Sequence, residues 1–447
     1  MGRINRRSFI KGTMAGAAIL GAPTIIPSSV LGENAPSKRV NLAAIGVGGR
    51  GYSVVVRGFC GLDGARVVAC VDPNKNRREK ASKDINERYK GEYCKSFENY
   101  QDVLSNKDID GVVIATPDHW HVPIAVAAAR AGKDMYVEKP LSIALNWSKV
   151  LRAELKKNNC IFQYGTQQRS TGAARDVMEL VWNGYIGEVK RVDVSSPNLG
   201  ADVICHPKAT PVPDGFNWDL WQGPAPLREY SKERVTNTKG TWHCYDYALG
   251  FIAGWGAHPL DILQWGLQMD QSAPVEYEGT GFVPENAGLC NTLRTWDIHL
   301  KYANGMPVHF MDAATAKKVI KPYHERMQGD GTVFHGTEGW ACYQRSKCYL
   351  KIKGKYVNAN SIERKASDKK AYLSSSQHGN FVDCMKSRKT TVNPIESAIR
   401  SDTISHMCDI AARTGCKISY DPLKEVIVGD AKSSQMMDRP MRKPYVI

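Results

Sequence analysis

The chain has 447 residues, 42% hydrophobic and 23% charged, the make-up of an ordinary globular protein with room for two domains. Its 60 Lys and Arg against 45 Asp and Glu leave a formal charge of +15, spread without a long basic block or a basic–aromatic recognition pattern. That argues against nucleic acid and leaves a solvated basic surface or an acidic ligand such as a uronate. The 12 cysteines are scattered singly, with no CxxC pair and no Cys/His zinc spacing, so no metal is expected and no disulfide partners are picked out.

Residues 1–34 read as a leader and arm. Arg6-Arg7-Ser8-Phe9-Ile10-Lys11 is a twin-arginine motif, and Gly12–Ile26 is weakly apolar, too short and too rich in small residues for a good membrane span. The expected partner during export is the twin-arginine translocase, and the expected location is the periplasm or beyond. A cut between Ser28 and Ala35 fits, although no clean cleavage site fixes it.

Residues 35–165 alternate strand and helix patterns. An apolar strand over Arg39–Ile45 runs into Gly46-Val47-Gly48-Gly49-Arg50-Gly51, a G-x-G-x-x-G loop ahead of a helix pattern. Glycines there permit a tight turn and close approach of backbone to a pyrophosphate. The strand Arg66–Val71 ends at Asp72, whose carboxylate is placed to accept from an adenosine ribose and to repel a 2′-phosphate. The dinucleotide is therefore expected to be NAD; Arg77 and Arg78 follow closely and leave NADP open.

The next strand, Gly111–Ala115, ends at Thr116-Pro117-Asp118-His119-Trp120-His121, ahead of an Ala-rich helix over Val122–Ala131. His119 and His121 are candidates to line the cofactor cleft. The following strand delivers Glu138-Lys139-Pro140, charges at the carboxyl end of a strand, where ligands of open α/β sheets sit. After a helix at Ile143–Asn158 and a sixth strand, Ile161–Tyr164, the polar run Gly165–Arg169 brings Gln167 and Arg169 within reach of cofactor or substrate.

Residues 166–425 change character. A long irregular stretch, Pro197–Gly240, is followed by Trp242-His243-Cys244-Tyr245-Asp246-Tyr247 and Gly254-Trp255-Gly256-Ala257-His258-Pro259-Leu260-Asp261. Trp242 and Tyr245 suit a sugar, whose C–H faces pack on rings while its hydroxyls need paired donors and acceptors. A helix is expected from Pro259, with His258 as its N-cap. Strand patterns then recur, with helices over Asn380–Ser387 and Ile395–Arg413 packing back, before a tail at 426–447. The expected fold is an α/β N-terminal Rossmann domain plus an α+β C-terminal domain with a mostly antiparallel open sheet. One face of that sheet is free for a partner copy, so a homo-oligomer is expected.

The Gly46–Gly51 loop, Thr116-Pro117, Glu138-Lys139-Pro140, Gly165–Arg169, Gly256-x-His258-x-x-Asp261 and the Gly336–Gly339 turn together resemble the Gfo/Idh/MocA oxidoreductases along the whole chain. The resemblance implies that Lys139 contacts both nicotinamide ribose and substrate, and that His258 is the acid/base for a sugar hydroxyl. The family often adds an aspartate four residues before that histidine; here the position is Gly254, leaving Asp261 as a candidate to orient His258. A periplasm offers no steady nicotinamide pool, so a captive cofactor is expected. Three readings follow: a sugar or glycoside oxidoreductase; a redox-neutral lyase, hydrolase or epimerase working through a keto sugar; and an NAD-holding sugar sensor without turnover.

Overall fold

Six short segments, mostly apolar apart from the edge strand Lys95–Phe97, make the first sheet of the computed structural model, which describes residues 39–200, 203–320 and 330–447. The twin-arginine motif and the rest of the leader lie outside the described residues. The strands are β1 (Val40–Ile45), β2 (Ala65–Val71), β3 (Lys95–Phe97), β4 (Gly111–Ile114), β5 (Asp134–Val137) and β6 (Phe162–Tyr164), in the order β3-β2-β1-β4-β5-β6. All pairings are parallel. Helices cover both faces, which is why β4 and β5 are buried at every residue instead of alternating. The strand order reverses direction between β1 and β4, which opens a crevice at their carboxyl ends.

Local signals set the helix limits. Asn74 caps the helix Lys75–Tyr89 by accepting from the Arg77 amide, and Lys90 ends it in the left-handed region at φ 55°. The helix after β4 runs Asp118–Arg130, four residues earlier than its apolar pattern suggests. Asp118 through His121 therefore occupy its first turn, where backbone amides lack helical partners in any case. The helix carrying His258 likewise begins early, at Ala257, and runs to Gly266. His258 is inside its first turn instead of capping it, since Pro259 is tolerated there without a donor.

The second sheet has ten strands: β7 (Val189–Ser196), β8 (Glu276–Phe282), β9 (Thr295–Lys301), β10 (Pro307–Asp312), β11 (Gly331–Gly336), β12 (Gly339–Gln344), β13 (Lys347–Ile352), β14 (Lys355–Val357), β15 (Ile418–Asp421) and β16 (Val426–Ile427). Their order is β14-β13-β12-β11-β7-β10-β9-β8-β15-β16, and among the described residues only β7 and β10 pair in parallel. Alternation governs each central strand: Val192 and Val194, Ile298 and Leu300, and Val308 and Phe310 turn inward. They meet Leu263, Met407 and Ile410 from the helices Ala257–Gly266 and Ile395–Thr414 in one core.

The late helices divide their packing. Gln377–Ser387 sends Phe381, Val382 and Met385 into the core of the first sheet, beside Leu42 and Val67. Ile395–Thr414 gives Ala398 and Ile399 to the other face of that sheet and its remaining apolar residues to the second. The Tyr164 amide also donates to the Asn393 carbonyl at 2.9 Å. Residues of the two late helices thus complete the core of the first sheet.

Candidate active site

The glycine loop turns as tightly as its spacing implies. Gly46 has φ +83°, and a Cβ there would lie 2.7 Å from the Thr116 amide nitrogen. A Cβ on Gly51 would lie 1.8 Å from the Gly46 carbonyl oxygen, whereas Gly49 faces open space. Asp72, at the end of β2, receives the Val47 amide at 3.1 Å and the Asn74 amide at 2.9 Å. Burial pushes its carboxyl above the ordinary value, against those two donors and the nearby Arg77 and Arg78. Gly46, Gly48, Asp72, Arg77 and Pro117 line one cleft.

A second cavity continues from it, sharing Gly49, Arg50, Thr116, Asp118 and Trp242 as walls. Here the carboxyl end of β5 delivers Glu138 and Lys139, and the Lys139–Pro140 peptide is cis. Lys139 Nζ donates to the Gly254 carbonyl at 2.6 Å. Glu138 Oε1 accepts from Arg50 at 2.9 Å. Across the cavity stand His258 and Arg345, whose guanidinium lies 4.3 Å from the centre of the Trp255 ring. Burial lowers Lys139 from the ordinary lysine value. Burial, then the positive charges of Lys139, Arg345 and Arg50, hold His258 well below the ordinary histidine value. Its imidazole is therefore neutral near pH 7, and its Nδ1 has no protein partner.

The cavity brings together Lys139, His258, Glu138, Gln167, His121 and Trp242. His121 lies with Nδ1 2.7 Å from the Pro140 carbonyl and Nε2 2.9 Å from that of Thr116. Val47 and Gly51, buried within the glycine loop, shape it and are not among the residues that line the cleft.

Four expected side chains are elsewhere. His119 is fully buried with Nε2 3.1 Å from the Trp221 carbonyl, against the Trp221 and Tyr247 rings. Asp261 does not orient His258, because its carboxylate is taken by Thr166 (2.8 Å), Arg169 (2.9 Å) and Asn393 (3.0 Å). Arg169 is buried between Asp261 and Asp270, so it has no free edge for a substrate. The Tyr245 hydroxyl donates to Asp409 at 3.1 Å, and its ring is held between Arg413 and Arg439.

Asp118 and Arg345 are among the wall residues that the sequence does not single out. Asp118 is buried, and desolvation with the nearby Asp402 and Glu138 carboxylates drives it up to about 8 although Lys139 opposes them. Its place in the turn after β4 was a usable signal. Arg345 comes from the β12–β13 hairpin, and nothing local marks it.

Thr116 Oγ1, Glu138 Oε2, Gln167 Oε1 and His258 Nδ1 are buried polar atoms without protein partners, all on residues lining this continuous cleft. Such atoms call for a polar ligand, and with the glycine turn and Asp72 they fit a dinucleotide and a hydroxylated substrate side by side. Fold and site together define an oxidoreductase with a nicotinamide-dinucleotide domain. Residues 40–166 match the NAD-binding Rossmann fold, and residues 204–447 the C-terminal alpha/beta domain, of one oxidoreductase family, Gfo/Idh/MocA, to which the chain belongs.

A stretch of 212 residues is 35% identical to Glycosyl hydrolase family 109 protein 2 of Shewanella sp. (strain ANA-3), 42% of this chain and 45% of that one. The chain thus matches less than half the length of such curated relatives. Among solved structures, aldose-aldose oxidoreductase from Caulobacter crescentus superposes with a TM-score of 0.61 at 17% identity, over 85% of this chain and 99% of that one. Myo-inositol 2-dehydrogenase from Lactobacillus plantarum gives 0.57 at 17%, over 86% and 100%. At such identities these likenesses establish the fold.

Proposed function

We propose that the protein oxidises a hydroxyl of a sugar or glycoside. The observation that carries this reading is the meeting of Lys139 and a neutral, buried His258 in one cavity that runs into the glycine-loop cleft. NAD, when bound, supplies a hydride acceptor. Asp72 favours it over NADP, since a carboxylate there repels a 2′-phosphate. His258 takes the hydroxyl proton, Lys139 holds the oxygen that loses it, and Trp242 offers a ring face to the sugar's C–H groups. The aldose and the cyclic polyol inositol named for the structural relatives are consistent with this assignment.

A second reading, cleavage of a glycoside without net redox change, is favoured by the stretch shared with family 109 glycosyl hydrolases. A transient ketone would acidify the neighbouring C–H and let the glycosidic group leave. Incubation with a panel of aryl glycosides and free sugars separates the two. Stoichiometric NADH at 340 nm supports the dehydrogenase; released aglycone with no net NADH supports cleavage; neither, with NAD firmly bound, points to a sensor.

The leader motif Arg6–Lys11 supports export in the folded state with cofactor already captured. Mass-spectrometric nucleotide content of protein recovered from the periplasm tests both, and empty protein would refute capture. The broad second sheet supports a homo-oligomer; a monomer mass by light scattering would refute it.

A further inference from the structure

The outer face of the second sheet carries the polar half of the alternation that buries Ile298, Leu300 and Phe310 on the inner face. Asp297 and His299, two residues apart on β9, both turn outward, and His309 stands directly across from His299 on β10. The two imidazoles stack with centroids 4.1 Å apart and planes at 16°. Asp297 Oδ1 is hydrogen-bonded to His309 Nε2. One nitrogen or oxygen from each of the three lies within 4.8 Å of the others.

We propose that Asp297, His299 and His309 bind a divalent transition-metal ion, with Zn2+ the best matched. Two imidazole nitrogens and one carboxylate oxygen are the donor set that zinc takes, at bond lengths of about 2.0–2.2 Å, with a fourth position left to water. His299 is exposed, and a rotation of its side chain would close the set. Glu278 faces His299 from β8, and Asp193, which also pairs with His335 and Arg191, faces His309 from β7. No zinc spacing is visible along the chain because strand alternation and cross-strand register assemble this site. The helix bearing His258 packs on the opposite face, so the ion ties β9 to β10 and stands apart from the cleft.

The test uses the full chain, stripped with a chelator, dialysed, and titrated with Zn2+ alone by calorimetry and with Co2+ by visible absorption. One equivalent per chain is expected, with Co2+ bands free of thiolate charge transfer. Binding weakens about tenfold or more in His299→Ala and His309→Ala, given that even supporting partners of metal ligands are worth about 10–100-fold. No binding at micromolar Zn2+, thiolate bands, or unchanged affinity in the variants each overturns the proposal. His299 is at the surface, so its variant folds and decides the matter even if His309→Ala does not.

Discussion

Arg169 and Asp261 form an ion pair sealed from water, Nη2 to Oδ1 2.7 Å, with the two side chains 2% and 0% exposed. Asp270 closes the other edge of the guanidinium at 2.7 Å. The pair ties the loop after β6 to the helix of His258. Taking away one partner strands the other charge in the core, so Arg169→Leu is expected to cost about 3–5 kcal/mol. Urea unfolding measures this; a loss under about 1 kcal/mol would mean that the site relaxes or hydrates freely.

Lys139→Ala is expected to keep the fold and NAD binding while turnover falls by about 10²–10³-fold, the usual worth of one donor to an oxygen that gains negative charge. Calorimetric NAD binding beside steady-state rates distinguishes this from collapse of the site. Retained turnover would remove Lys139 from the chemistry.

Asp72→Ala removes the acceptor of the Val47 and Asn74 amides as well as the ribose partner. NAD affinity should fall by about tenfold, in line with about 1–3 kcal/mol for a buried group left unpaired, and the gap between NAD and NADP should narrow. Fluorescence titration with both nucleotides checks it, and an unchanged ratio would show that the ribose is read by other groups.

Gly254→Asp has room, since a Cβ there meets nothing within 4 Å. A carboxylate beside Lys139 and His258 offsets the cations that now depress the imidazole, so the histidine's pKa rises. The acid limb of the pH–rate profile should move to higher pH. An unmoved limb would mean that His258 is not the base.

Asp118 keeps its proton in the folded protein up to about pH 8, far above the ordinary aspartate value of 3.8. The sign follows by linkage: below about pH 4 both states are protonated, and as pH rises to about 8 the unfolded chain releases its proton first, so stability declines. Asp118→Asn should abolish that decline and become progressively more stable than the parent between pH 4 and about 8. Parallel melting curves across the range would count against it.

What the sequence disclosed was local. The glycine loop, the acid ending β2 and the lysine ending β5 follow from short apolar runs and their terminators, and each strand end pointed at the right edge of the sheet. Asp261 was legible as part of a motif but not in its partners, which come from Thr166, Arg169 and Asn393, 92 or more positions away. Tyr245 suggested a sugar platform from its aromatic surroundings, yet two arginines occupy both its faces. Arg345 reaches the cavity only because a hairpin of the second sheet does.

The packing of Phe381, Val382 and Met385 against Leu42 and Val67 bears on the order of events during synthesis. A ribosome has released most of the chain before the first sheet can gain its last apolar cover. The first sheet therefore lacks part of its apolar cover until the chain is almost complete. A chain ending near residue 370 would hold every residue of the glycine loop and its acid, yet leave Leu42 and Val67 without that cover.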